Sequence, residues 1–376
     1  MRSCVAVGRW TSDAARMNVQ AVVDRVRTRL ASSDEPPGRA RVAELVRVEA
    51  GTLIDDADLR SLIRAAEDEL VGAGPLEPLL RRPGVTDVLV NGPDAVWLDT
   101  PAGLVRTEVR FADVAAVRRL AQRLAAMAGR RLDDATPWVD AILPDGTRLH
   151  AVLPPIAQDC PCICLRVLAR RRFSFAELVE TGTVPDPAAV ILEAVIADRR
   201  SFLVTGGTGS GKTTLLGAML SLVPSSERLV VVEDAPELSP SHPHVVRLLA
   251  RSPNVEGAGV VTLRDLVRQA LRMRPDRVVV GEVRGAEVVD LLYALNTGHD
   301  GGSGTVHANS PADVPARLEA LSAMGGLDRA GVHSQMAAGL DAVVHVGRDD
   351  HGRVVRQIAE FERSGAGLRV RPIWTC

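Results

Sequence analysis

SFLVTGGTGSGKTTLLGAML, residues 201–220, runs from an apolar strand pattern through a glycine-rich turn into a helical pattern, and this succession governs how the rest of the chain is read. Phe202 to Val204 form the strand, and Leu215, Leu216, Met219 and Leu220 recur at helical spacing. Between them, Gly206-Gly207-Thr208-Gly209-Ser210-Gly211-Lys212-Thr213, followed by Thr214, satisfies the phosphate-loop pattern G-x-x-x-x-G-K-[ST]. Glycines there let backbone N–H groups curl around phosphate oxygens at a helix N-terminus, whose dipole favours an anion. Lys212 is expected to neutralise the β- and γ-phosphates and the Thr213 hydroxyl to bind Mg²⁺, so ATP and Mg²⁺ are the expected cofactors.

Composition sharpens this reading. Among 45 basic residues Lys212 is the one lysine, and the rest are arginines. A chain that uses arginine everywhere else keeps its lysine where a compact ammonium is needed. The formal net charge of −2 argues against a dedicated nucleic-acid binder. No apolar run reaches the roughly 18 residues of a membrane span, and the first twenty residues lack a secretory signal, so a cytoplasmic protein is expected. Cys160, Cys162 and Cys164 alternate along a strand pattern. Side chains two apart on a strand stand roughly 6.6 Å apart, too far for all three to reach one zinc, so they are expected as small buried side chains.

Outward from the phosphate loop, the organisation changes twice. Residues 1–72 carry helical patterns over Asn18 to Leu30, Arg39 to Val48 and Asp56 to Val71, broken by SSDEPPG and EAGTLID, and read as a mobile helical extension. Residues 73–168 show short strands (TDVLV, AVWLD, LVRTEVRF, Thr147 to Val152, Cys162 to Val167) and a helix over Val114 to Met127, a small α/β domain. Residues 169–176, with an arginine cluster, read as a linker. Residues 177–376 hold longer α/β units whose strands SFLVTG, RLVVVE and RVVVGE are apolar on both faces, as in a central sheet covered by helices.

Two of those strands end in carboxylates, one in Glu233-Asp234 with Glu237 beyond, the other in Glu282. At the carboxyl ends of strands beside a phosphate loop, such groups face the nucleotide crevice, where they hold Mg²⁺ or polarise water. His299 and His307 flank a glycine-rich segment, Gly301 to Gly304, that reads as a flexible loop, and convergence on one site suggests that they sense the γ-phosphate.

Taken in order, the phosphate loop, VVVEDAPEL, LRMRPDRVVVGEVRG, LNTGHDG and TVHANSP resemble the secretion ATPase superfamily, and within it most nearly the tight-adherence (Flp) pilus assembly ATPases. GPLEPLLRRPGVTDVLVNGPDAVWLD and PDGTRLHAVLPP extend the resemblance over roughly residues 70 to 345. It implies an α/β fold with a RecA-like P-loop ATPase domain preceded by a smaller α/β domain, and a ring, usually hexameric, with ATP bound between domains at subunit boundaries. Carried over, it puts Glu233 and Asp234 in an acidic box that helps hold Mg²⁺ and water, and makes Glu282 the activator of the attacking water. By the same resemblance, His299 and His307 form the histidine box, and Arg148 and Arg166 are arginines of the first domain that reach the phosphates. The implied partners are other copies of the chain and an inner-membrane platform protein of a pilus or secretion system, at the inner face of the cytoplasmic membrane, with no direct nucleic-acid binding. A DNA-transfer motor and a nucleotide-gated scaffold with negligible turnover are the alternatives; the second has no use for Glu282.

Overall fold

The structure, a computed structural model, describes residues 13–33, 38–50, 55–100, 103–167, 172–251, 253, 256–349, 352–364 and 367–376. The chain divides into two compact units, Met1–Leu168 and Ala169–Cys376.

The first unit opens with three helices, α1 (Asp13–Ala31), α2 (Arg39–Ala50) and α3 (Asp56–Leu70). They bury one shared set of apolar side chains, among them Val22, Val26, Val42, Val46, Leu62 and Ala66. The helices of the extension pack on one another as a bundle, because each carries its own stripe of aliphatic residues. Most of the breaks between these helices lie outside the described residues. Asp55 starts α3 by accepting hydrogen bonds from the Ala57 and Asp58 N–H groups, both at 2.8 Å.

After the short helix α4 (Glu77–Leu80) come β1 (Asp87–Gly92), β2 (Ala95–Thr100), β3 (Gly103–Arg106), α5 (Val114–Met127), β4 (Trp138–Ile142), β5 (Arg148–Val152) and β6 (Cys162–Arg166). The strands form one sheet in the order β3-β2-β1-β6-β5-β4. Alternation along the strands sends Val88, Val90, Leu149, Ala151, Ile163 and Leu165 into a core completed by Leu120, Ala121 and Leu124 of α5. The intervening residues stand on the opposite face. Cys162 and Cys164 belong to that second set and are only half-buried; Cys160, just before β6, is the buried one. Strand β4 escaped the sequence reading because Trp138 and Ile142, on its open face, blur the alternation.

The second unit begins with α6 (Phe175–Glu180) and α7 (Asp186–Ala197), then β7 (Phe202–Thr205), α8 (Lys212–Leu220), β8 (Leu229–Glu233), β9 (Val245–Leu249), α9 (Leu263–Ala270), β10 (Arg277–Val283), α10 (Glu287–Leu295) and β11 (Ser303–Val306). It ends with α11 (Val314–Met324), α12 (Arg329–Gly339), β12 (Ala342–Asp349), β13 (Gly352–Ser364) and β14 (Gly367–Thr375). Its sheet runs β14-β13-β12-β7-β11-β10-β8-β9. The run from β12 to β9 is parallel throughout, and β13 and β14 close one side antiparallel. Both faces are covered. Phe202, Val204, Val231 and Val344 pack with α6, α7 and α8, whereas Leu203, Val230, Val232, Val280 and Val343 pack with α9 to α12. Strands flanked in this way have to be apolar at every position, which is why their sequences read as continuous runs.

One expectation is corrected here. The glycine-rich segment between the two histidines is not a flexible loop: Ser303 to Val306 form β11, a fully buried strand between β7 and β10. Glycine is required by space. A Cβ on Gly302 would lie 2.4 Å from Leu295 Cδ2, and one on Gly304 would lie 2.9 Å from the Val280 carbonyl oxygen. Both lie closer than real Cβ atoms come to their neighbours, so the glycines record tight packing of strand on strand and helix rather than freedom.

Candidate functional site: a phosphate loop facing two acidic strand ends

The parallel strands deliver the predicted groups to one end of the sheet. In register, Thr205 of β7 lies beside Val306 of β11, Val283 of β10 beside the same Val306, and Val280 beside Val232 of β8. The next residues along these strands are therefore neighbours: the phosphate loop after β7, His307 after β11, Glu282 near the end of β10, and Glu233-Asp234 at the end of β8. This is the crevice outside the carboxyl ends of the strands, where open α/β sheets bind their ligands.

Gly206, Gly209 and Gly211 all have positive φ, at 150°, 68° and 99°. Gly206 has no alternative, since a Cβ there would lie 2.2 Å from the Val346 carbonyl oxygen. Lys212 opens α8 and is buried, its Nζ donating to the carbonyl oxygens of Gly206 at 3.1 Å and Gly207 at 2.8 Å. The Ser210 N–H also bonds within the loop, to the Gly207 oxygen. Burial lowers the Lys212 pKa below its ordinary value, against a pull upward from Glu282. A bound phosphate would return the lost counter-charge to this ammonium.

His307 Nε2 stands 3.4 Å from Lys212 Nζ and 2.7 Å from Glu282 Oε1. One nitrogen can accept from the lysine or donate to the carboxylate, not both at once. Burial and then Lys212 hold the His307 pKa below its usual value, which favours the neutral ring. The other Glu282 oxygen pairs with Arg284, whose Nη1 also donates to Asp234 Oδ2 at 2.9 Å. Arg284 thus ties the two acidic strand ends together. It stands in the GEVRG segment, and sequence reasoning gave it no role because an arginine just past a strand reads as solvated.

Glu233 sits differently from its acidic neighbours. It is buried, and its Oε1 accepts from the backbone N–H groups of Glu237 at 3.1 Å and Leu238 at 2.7 Å. In this position it shapes the turn that carries Glu237, whose Oε2 lies 3.5 Å from Thr213 Oγ1. Burial pushes the Glu233 pKa up to about 7, only partly offset by those two N–H groups. Because the folded-state value exceeds the ordinary 4.5, the native state holds a proton that the unfolded chain gives up between those pH values. Stability is therefore highest below the lower value and falls as pH rises toward 7. Glu233→Gln keeps the accepting oxygen and removes the ionisable group, so it is expected to raise stability at pH 8 by up to about 3 kcal/mol and to change it little at pH 4.5. Urea unfolding at the two pH values measures this, and equal midpoint shifts at both would rule the buried-carboxylate account out.

The remaining residues are placed as follows. Thr208 and Thr214 belong to the loop and to α8, as the pattern requires. His299 follows α10, with Nδ1 3.3 Å from the Ala294 oxygen; among the described residues no contact joins it to Lys212, Glu282 or the loop. Arg148 and Arg166 face each other across β5 and β6 on the open face of the first unit's sheet. Like charges so placed repel, and each is met by an aspartate: Arg148 by Asp140, with bonds of 3.1 and 2.8 Å, and Arg166 by Asp87 at 2.9 Å.

For Mg²⁺, Thr213 Oγ1 and Glu237 Oε2 supply hard oxygen donors beside the phosphate loop. That suits an ion that keeps several waters and takes its other ligands from the nucleotide.

A parallel sheet with a glycine-lined phosphate loop on a central strand and acidic ends on the neighbouring strands defines a P-loop nucleotide-binding protein of the α/β class. The chain belongs to the type II/IV secretion system protein family, whose model matches residues 69–360. It is 59% identical over 315 residues to a putative conjugal transfer protein of Mycobacterium tuberculosis, covering 82% of this chain and 89% of that one. It is 34% identical over 240 residues to the probable conjugal transfer protein TrbB of Sinorhizobium fredii, covering 63% of this chain and 71% of that one. Among solved structures, the Legionella pneumophila ATPase DotB shares the fold with a TM-score of 0.52 at 21% identity, over 75% of this chain and 78% of that one. Among the described residues no helix is long and apolar enough to cross a membrane.

Proposed function

We propose that the chain is a Mg²⁺-dependent ATPase working in a ring of identical subunits, usually six in this superfamily, to power a pilus or secretion machine from the inner face of the cytoplasmic membrane. The observation that carries this reading is the row Lys212, His307, Glu282, which puts a cation for the phosphates within one side chain of a carboxylate. A family resemblance alone would not require those groups to meet. Thr213 and Glu237 would hold Mg²⁺, which when bound would supply charge neutralisation to the triphosphate. The loop N–H groups and Lys212 exchange their internal carbonyl partners for phosphate oxygens. Glu282 accepts a proton from the water that attacks the γ-phosphorus, the bond from phosphorus to the bridging oxygen breaks, and ADP and phosphate leave. His307, freed from Lys212 when phosphate takes that lysine, donates to Glu282 and so reports nucleotide state to β10. Asp234 and Arg284 set the distance between the two acidic strands, and His299 serves the same ring from outside the cluster.

By the resemblance, Arg148 and Arg166 are the first-domain arginines that reach the phosphates, which they would do by exchanging Asp140 and Asp87 for phosphate oxygens. Arg148→Ala and Arg166→Ala are each expected to keep the fold and bind nucleotide while turnover falls on the order of 10³-fold, as for other arginine fingers. Steady-state phosphate release measures this, and turnover near the wild-type rate in both variants would remove the first domain from catalysis.

The expected partners are further copies of the chain and an inner-membrane platform protein. The names of the two conjugal transfer relatives favour a second reading, a motor for DNA transfer. The net charge of −2 favours a machine-bound motor over one that grips DNA itself. Recovery of a polytopic membrane protein with the tagged chain, unaffected by nuclease, supports the first reading; recovery that depends on bound DNA supports the second.

A further inference from the structure

The nucleotide reading leaves one feature of the second unit without a role. Strands β12 and β13 run beside the phosphate loop and touch it at three of its glycines. The Val346 oxygen lies over Gly206, and Arg353 Cδ lies 3.0 Å from where a Gly211 Cβ would be. At Gly209, Arg348 Nη2 donates to the carbonyl oxygen at 3.1 Å, and Arg353 Nε donates to the same oxygen at 3.0 Å.

This arrangement is costly unless it serves something. Arg348 and Arg353 are directly opposed across the two strands, a position where like charges repel. Among the described residues neither forms an ion pair with a carboxylate; what they share is one neutral oxygen. Burial and then the neighbouring Arg348 lower the pKa of Arg353, which agrees with an unneutralised pair. A third arginine, Arg356, holds the strand pair in place by donating to the Arg348 carbonyl at 2.9 Å.

The peptide bond supplies the consequence. The Gly209 C=O and the Ser210 N–H belong to one planar trans unit and point in opposite directions. Fixing the carbonyl toward the strand pair aims the N–H the other way, across the loop, where it now bonds the Gly207 oxygen. Gly209 has φ of 68°, in the left-handed region, where glycine moves most freely and an outside brace matters most. The G-x-x-x-x-G-K-[ST] pattern does not demand glycine at this position, so the freedom and its restraint occur together.

We propose that Arg348 and Arg353 are positioning residues that clamp the Gly209 carbonyl and hold the phosphate loop in its anion-binding curl. They act through the loop rather than on the reacting atoms. The inference rests on the nucleotide-binding reading, and the experiment separates the two.

ADP affinity is measured by titration calorimetry on the full chain for wild type, Lys212→Ala, Arg348→Gln, Arg353→Gln and the double variant, with KM and kcat for ATP alongside. Each single glutamine variant is expected to weaken ADP binding about tenfold, as for loss of a charged hydrogen bond. The double variant should fall short of the product of the two, because both act on one oxygen. KM for ATP should rise by a similar factor while kcat falls less, and Arg353→Lys, which keeps a charge and a donor, should recover part of the affinity. If a glutamine variant fails to fold, the lysine variants Arg348→Lys and Arg353→Lys carry the comparison, each expected between wild type and a few-fold weaker. Wild-type ADP affinity in both single variants, with binding lost in Lys212→Ala, overturns the clamp and leaves the ATPase reading intact. No ADP binding by wild type overturns both.

Discussion

Lys212→Ala is expected to reduce nucleotide binding and ATP turnover to background, a loss of about 10²-fold or more on the scale of removing one preorganised donor from a transition state. The size follows from how the side chain is held. Lys212 is the one lysine of the chain, it is buried at the start of α8, and its present partners are loop carbonyls rather than an acid. Removing it leaves phosphate facing a loop with N–H donors but no close ammonium. The exchange of partners also predicts that Lys212→Arg fails nearly as badly, because the longer, planar guanidinium does not fit the space between Gly206, Gly207 and His307. Equilibrium binding of a fluorescent ADP analogue and phosphate release measure both effects, and a Lys212→Ala protein with wild-type affinity would remove the phosphate loop from function.

The carboxylate at the other end of the row should behave in the opposite way. Glu282→Gln retains the shape of the β10 end and leaves Lys212 untouched, but it removes the group that accepts the water proton. The variant is expected to bind ATP as well as wild type and to lose turnover by about 10²-fold or more, within the usual contribution of a general base. If subunits work in sequence around a ring, one trapped subunit stalls its neighbours, so wild type mixed with increasing Glu282→Gln should lose activity faster than the mutant fraction rises. A linear fall in confirmed mixed rings would leave the ATPase in place and remove the coupling.

The two ends of this row show how much of the site was legible in the sequence. The phosphate loop and Glu282 were readable because each stands at the end of a strand pattern that is apolar on both faces, and a parallel sheet brings such strand ends together; His307 was readable only as one of two histidines flanking a glycine-rich segment. The course of the chain into His307 was not, because Gly302-Ser303-Gly304 has the composition of a loop; only the closeness of Leu295 and Val280 shows that glycine is there for packing. Glu233 was readable as a carboxylate in the crevice, but its bonds to the Glu237 and Leu238 N–H groups depend on a turn with no sequence signature. Arg284, Arg348 and Arg353 stayed hidden for another reason. In a chain with arginine at nearly every basic position, no single arginine stands out, and their roles appear only when strands distant in sequence come into register.

The first unit followed the same pattern. Its sheet and α5 are visible from alternation and from the helical period, and α1, α2 and α3 are visible as helices, while their packing on one another is hidden by the polar breaks that separate them. Their apolar stripes are narrow one by one and form a core only when packed together.

The central claim is that ATP is bound through Lys212 and cleaved through Glu282. It is tested most directly by incubating the purified full chain with ATP labelled in the γ-phosphate and Mg²⁺, then separating protein from free nucleotide by rapid gel filtration. Wild type should release labelled phosphate over many turnovers, and Glu282→Gln should elute with intact labelled ATP and release almost none. Labelled phosphate released by Glu282→Gln at the wild-type rate, or no release and no retained ATP in either protein, would contradict the account.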